Sequence, residues 1–251
     1  MHRNLASLAL LCESLFWLVA GVAHASTFDV SPISLTLSEK APSGMLTVTN
    51  RGSAPLRFQV SVFTWDQKPD GDMVLNPTTD IVFFPAMLTL NANEKRNLRV
   101  GVQVKPGARE KSYRIFVQEL PPLQTNPDEQ GIVRVLTKMG IPIFVEPPAA
   151  RPVAALGGLS LHGVTFSFDV KNPGNAHFRS EKVLVSAKDA AGKLLDSHAV
   201  DGWYVLAGGT RTYVLELPKK ACEGLKSLQV DLESDKGATA KATLADAHCA
   251  P

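Results

Sequence analysis

The sequence predicts an all-β protein built of two sandwich domains, and three observations predict it. Short runs rich in β-branched and aromatic residues, alternating apolar and polar, fill the chain after its first segment, and no helical period persists beyond a turn or two. A proline-rich break, EPPAARP at residues 146–152, divides these runs into two groups. The groups on either side of the break then echo each other in sequence.

The first group comprises SGMLTVTN, PLRFQVSVFTW, DIVFFPAMLTL, RNLRVGVQV and SYRIFVQEL, bounded by Asn, Gly, Pro and Asp clusters at the spacing of an antiparallel sandwich. Adjacent prolines cannot continue a central strand, so residues 146–152 read as a short stiff connector. Beyond it VTFSFDVKN, EKVLVSAKD, TYVLELP and SLQVDLES resume the same kind of strand. This places one domain at residues 26–147 and another at residues 152–251. TVTNRGSAPLRFQV (47–60) and FDVKNPGNAHFRSEKV (168–183) both run a strand into an Asn-x-Gly turn and restart. LTLNANEKRNLRV and YVLAGGTRTYVLEL both read strand, polar turn, basic residue, strand. Two echoes in the same order favour a duplicated immunoglobulin-like sandwich over one large barrel.

Ahead of the strands stands an export signal. Arg3 supplies positive charge, residues 5–22 are largely apolar, and Ala23-His24-Ala25 has the small-x-small form of a cleavage site. Glu13 interrupts the roughly 20 apolar residues that a membrane anchor needs. Residues 1–25 therefore read as a signal peptide cleaved near Ala25, and the mature chain begins in an oxidising space. Of the 3 cysteines, Cys12 leaves with the signal, and Cys222 and Cys249 read as a disulfide.

Charge and motifs exclude several classes of function. The 26 basic and 24 acidic residues leave a net charge of +2, too even for a nucleic-acid binder. His162, His177, His198 and His248 show no metal-ligand spacing. There is no GxSxG, phosphate loop or dinucleotide fingerprint. Ser160 and His162 alternate on one strand with no ordering acid, and the acidic residues are spread over turns. No catalytic residue, cofactor, metal or small-molecule substrate is expected.

One strand carries too much apolar surface for a single sandwich. In GIVRVLTKMGIPIFVEP (131–147), Val133, Val135, Met139, Ile141, Ile143 and Val145 fall on odd positions, with Thr137 between. Such a strand runs about 45 Å, where most are about five or six residues long. The excess lies in an interdomain cleft or awaits another chain. A long apolar edge is an aggregation hazard unless function uses it, and donation to a partner's sheet is such a use. Burying four such side chains contributes roughly 6–12 kcal/mol gross. A charge-assisted hydrogen bond contributes about 1.5–3 kcal/mol, so apolar burial would carry affinity and a fixed charge would set register.

YRIFVQELPP (113–122), VRVLTKMGIPIFVEPPA (133–149), TVTNRGSAPLRFQV, VKNPGNAHF (170–178) and VLAGGTRTYVL (205–215) resemble the PapD-like periplasmic chaperones of the chaperone-usher pilus pathway. The resemblance implies two immunoglobulin-like domains set in an L with a cleft between them. It implies a periplasmic protein that folds and caps pilus subunits by strand donation and delivers them to an outer-membrane usher. Carried onto this sequence, the donor residues are Val133, Val135 and Thr137, then Met139 or Ile141. The family also anchors the subunit's C-terminal carboxylate on basic residues in the cleft. Here the chain departs from the best-known branch, with Ser34 in place of an Arg, Pro142 in place of a Lys, and Glu146 in place of an Arg that pairs with the acid at Glu119. Arg114 and Lys138, on adjacent strands, are then the candidates for a relocated anchor. The pattern resembles the archaic or alternative, Csu-type branch, and the short loop at 123–130 sets it apart from the long-loop branch. Self-association of the free protein stays open. The alternative reading is a two-domain adhesion or structural sandwich with another extracellular partner; a secreted hydrolase comes third.

Overall fold

The first sandwich is made by β1 (Phe28–Ser31), β2 (Leu35–Leu37), β3 (Ser43–Asn50), β4 (Leu56–Gln67), β5 (Met73–Pro77), β6 (Ile81–Phe84), β7 (Met87–Leu90), β8 (Lys95–Val102), β9 (Lys111–Leu120) and β10 (Lys138–Val145). The structure is a computed structural model and describes residues 27–123 and 135–249. One sheet has the order β1-β3-β8-β6, and the other β2-β10-β9-β4-β5, with β7 also pairing β4. The second sandwich is made by β11 (Ala155–His162), β12 (Thr165–Lys171), β13 (Phe178–Lys188), β14 (Leu194–Val200), β15 (Tyr204–Val205), β16 (Thr210–Glu216), β17 (Ser227–Ser234) and β18 (Thr239–Ala245). Its sheets are β11-β12-β16 and β14-β13-β17-β18, with β15 pairing β13.

Alternation sends one face of each strand inward. Phe58, Val60 and Val62 of β4, Tyr113, Ile115 and Val117 of β9, and Ile141, Ile143 and Val145 of β10 join Val48 and Leu98 in one core. Phe166, Phe168, Val170, Val185, Leu228 and Val230 form another. The run DIVFFPAMLTL, expected as one strand, is two strands in opposite sheets, because Pro85 has no N–H to continue a ladder. The long strand expected over 133–145 is also shorter: its described part pairs as β10 over 8 residues, and residues 135–137 carry no strand.

The two sequence echoes meet in space, once in each sandwich. Asn50 and Asn172 are buried. Asn50 Oδ1 accepts from the Gly52 N–H at 2.9 Å, and Asn172 Oδ1 accepts from the Gly174 N–H at 3.0 Å. Asn50 Nδ2 donates to the carbonyls of Ala54 (2.8 Å), Leu90 (3.2 Å) and Asn91 (3.0 Å). Asn172 Nδ2 donates to those of Ala176 (2.8 Å) and Val205 (3.0 Å). In each domain the asparagine of the first echo thus ties its turn to the strand end of the second. A disulfide joins Cys222 to Cys249 with an S–S distance of 2.04 Å.

Each asparagine is buried and joins its turn to carbonyls of another segment, so Asn50→Ala and Asn172→Ala should each lower stability by about 2–4 kcal/mol in urea denaturation. Asn→Asp at either site should not restore it, because a carboxylate cannot donate.

Candidate functional site

β10 has two kinds of edge. β9 pairs with it along its whole length, whereas β2 lies parallel to it only at Ile143–Val145. Among the described residues, nothing pairs with 138–142 on that second side. Glu119 N–H donates to the Thr137 carbonyl, and Glu146 N–H to the Leu37 carbonyl, both at 2.9 Å. This phase points the backbone groups of odd residues at β9 and those of even residues at the open side. Lys138, Gly140 and Pro142 therefore present the open edge. Pro142 is tolerated there because its missing N–H faces away from β9.

The closed end of that edge holds a buried cation. Arg114 lies opposite Pro142 in the ladder, where β2 takes over the edge. Its side chain is only 7% exposed. Nη1 donates to the Gly140 carbonyl at 3.0 Å, and Cζ sits 4.1 Å from the centroid of the Trp65 ring. Nε and Nη2 of Arg114 and Nε1 of Trp65 are buried without an acceptor. Burial holds the guanidinium below the ordinary arginine value, partly offset by the nearby Tyr204. Lys138 lies across from Gln118, about 13 Å of strand rise from the Arg114 position. Its ammonium rests 4.4 Å from the Phe116 centroid. The two cations thus share a face but mark opposite ends of the open edge.

The wall behind Arg114 belongs to both domains. The Phe144 ring stacks on the His177 imidazole at 3.4 Å between centroids, and Trp65, Leu206 and Tyr204 complete the cluster. Ser112, across from Phe144, is small enough to let Trp65 and Phe144 approach to 6.0 Å. The Glu110 carboxylate accepts from the His177 backbone N–H at 3.0 Å, and its Oε1 lies 2.7 Å from His177 Nδ1. Asn175 Nδ2 donates to the carbonyls of Ala108 (3.1 Å) and Ala149 (2.9 Å), and Thr212 N–H to that of Pro69 (2.7 Å). Two arginines cross the boundary in opposite directions. A Cβ at Gly71 would lie 2.6 Å from Arg211 Nη1, and one at Gly208 would lie 2.7 Å from Arg109 Nη1. Both glycines have positive φ, +94° and +73°.

The open edge thus ends on a buried arginine at the boundary of the two sandwiches. Residues 27–151 match the family described as pili and flagellar-assembly chaperone, PapD N-terminal domain. The chain belongs to this PapD-like family. No curated protein sequence matches it. Solved PapD-like structures share its fold. A chain of the CsuC–CsuE chaperone–tip adhesion subunit pre-assembly complex of Acinetobacter baumannii aligns with a TM-score of 0.61 at 18% identity, covering 87% of this chain and 98% of that one. The Escherichia coli chaperone DraB aligns with a TM-score of 0.55 at 19% identity, covering 90% and 98%. A chain of the Salmonella enterica SafA pilin–SafB chaperone complex aligns with a TM-score of 0.54 at 14% identity, covering 88% and 97%.

The residues expected to serve a PapD-like site are distributed unevenly. Val133 lies outside the described residues, as do the signal peptide and most of the 123–130 loop. Val135 is 62% exposed, with its apolar side chain unspent. Thr137 is half-buried at the mouth of β10, and Met139 packs partly against the core. Ile141, expected with Met139 at the end of the donor run, is 2% exposed and packs in the core of the first sandwich. Ser34 is exposed just before β2. Glu119 is buried, and its Oε2 accepts from the Thr137 N–H at 3.3 Å. The acid at Glu146 finds a base in the second domain, Lys236, at 3.8 Å. His177 is a satisfied buried residue of the domain boundary. Sequence reasoning missed Trp65, although FTW, following the inward Phe58, Val60 and Val62, puts two aromatics on the outward parity.

Phe144→Ala should cost about 3–5 kcal/mol in urea denaturation and increase the radius of gyration in small-angle scattering as the domains come apart. An unchanged radius would show that the other cross-boundary contacts alone hold the angle.

Proposed function

We propose that this protein is a periplasmic, non-enzymatic chaperone that lends the open edge of β10 and the residues before it to incomplete pilus subunits. The observation that carries this reading is the pairing of a strand edge that no described strand covers with a buried, incompletely paired cation where the edge ends. A subunit strand laid along 138–142 runs into β2 at Ile143, next to the Arg114 position. A C-terminal carboxylate at that point would answer the guanidinium, which favours a subunit strand parallel to β10. Val133, Val135 and Thr137 supply the donated side chains, and Met139 marks where donation gives way to the protein's own core. Lys138, at the far end of the edge, contacts the body of the strand, and Arg114 is the anchor.

The finer assignments follow from the same frame. Ser34, Pro142 and Glu146 support the archaic or alternative branch. Delivery to an outer-membrane usher fits a second exposed surface: Phe84 is 77% exposed, with Val82, Met87, Arg96 and Arg99 around it. Phe84 and Val82 stand on the sheet that does not contain β10, so they stay uncovered while a subunit occupies the edge. Residues 26–147 form the chaperone domain with its donor strand, and residues 152–251 form the second domain. Exchange of one strand pairing for a better one needs no nucleotide.

Co-expression with a candidate pilin subunit should yield a soluble one-to-one complex, lost when Val133 and Val135 both become Asp. Persistence of the complex in that variant would refute strand donation. Arg114→Ala should weaken capture at least tenfold without changing the unfolding midpoint downward, whereas Lys138→Ala should have a smaller effect.

A further inference from the structure

We propose that Trp65 is a second donor of the carboxylate site, its indole N–H binding the same anion as the Arg114 guanidinium. The inference rests on the chaperone reading and adds a residue to it. Three donor groups, Nε and Nη2 of Arg114 and Nε1 of Trp65, are buried with no acceptor in the same corner of the cleft. Buried N–H groups rarely stay orphaned, and a set made of donors alone fits an anion. The guanidinium lies 4.1 Å from the indole centroid, so a planar carboxylate has two oxygens for the two side chains. Among the described residues no carboxylate is hydrogen-bonded to these donors: Glu110 turns its Oε1 to His177, and Glu146 pairs with Lys236. Arg114 Nη1 is held on the Gly140 carbonyl, which fixes the guanidinium and leaves its other edge for the ligand.

The site is closed in the free protein. Tyr204 of the second domain packs edge-on to Trp65 at 5.6 Å between centroids. Cation and indole are then already desolvated and oriented, and binding relieves their unmet hydrogen bonds. The indole N–H is neutral, so it adds direction without adding charge, and it replaces the lysine that the best-known branch places at Pro142.

The test uses the mature chain with its two tryptophans, Trp65 and Trp203, and a short peptide of alternating valine and threonine, made with a free C-terminal carboxylate and as the amide. In 15N spectra the Trp65 indole signal should move downfield with the free-acid peptide and stay in place with the amide. Trp65→Phe keeps the ring against Phe144 and should weaken binding of the free-acid peptide about tenfold, with little change for the amide. Binding of the free acid to Trp65→Phe at wild-type affinity would overturn the proposal, and if Arg114→Ala still loses the preference for the free acid, the anchor itself stands. A wild-type protein that binds acid and amide equally would overturn both readings.

Discussion

Phe144 lying flat on His177 is the contact on which the rest of the arrangement depends. It sits near the end of β10, so the strand that is open along one side at its start is fastened to the second domain at its finish. The imidazole is itself held, because the Glu110 carboxylate takes both its Nδ1 and the backbone N–H of the same residue. A buried pair of this kind adds little net stability, but removing either member leaves an uncompensated group, so it specifies one geometry. The cleft inherits that geometry: Trp65 leans on Phe144, and Arg114 leans on Trp65.

From this anchor β10 divides into zones with different duties. At Ile143–Val145 it is paired on both sides and buried on both faces. At 138–142 it keeps a partner on one side only, and the residues before it, tied to β9 through the Thr137 carbonyl, expose Val135. The short β2 sets where the first zone ends. The protein tolerates an edge that would otherwise invite aggregation by keeping it short, placing Pro142 on it and closing one end.

Much of this was legible in the sequence, for reasons that can be stated residue by residue. Alternation located β3, β4, β8, β9, β12, β13, β16 and β17, because each has one face in a core and one in water. It failed at DIVFFPAMLTL, where a proline moves the chain between sheets without interrupting the apolar composition. It could not find β2, three residues long and held by β10, or β18, whose alanines and threonines lack a strong signal. The odd positions of β10 read as one face, but periodicity cannot tell which of them are spent internally, so it does not separate buried Ile141 from exposed Val135. Arg114 could be named from a resemblance and its missing neighbours; its burial, its stacking and its place at the end of the open edge required the fold. The asparagine echoes show the reverse case, in which a faint repeat stood for a shared device that closes each sandwich.

The crossed arginines at the domain boundary bear on how such a chain can be rebuilt. Two sandwiches with the same asparagine lock look like interchangeable modules. Arg211 lies over Gly71 and Arg109 over Gly208, so each domain has a bare spot shaped by the long side chain of the other. A chimera that took either half from a distant relative would bring a Cβ under a guanidinium, or an empty spot with nothing to fill it. The halves are copies in architecture and a matched pair in sequence, and the unit that selection can exchange is the whole chain.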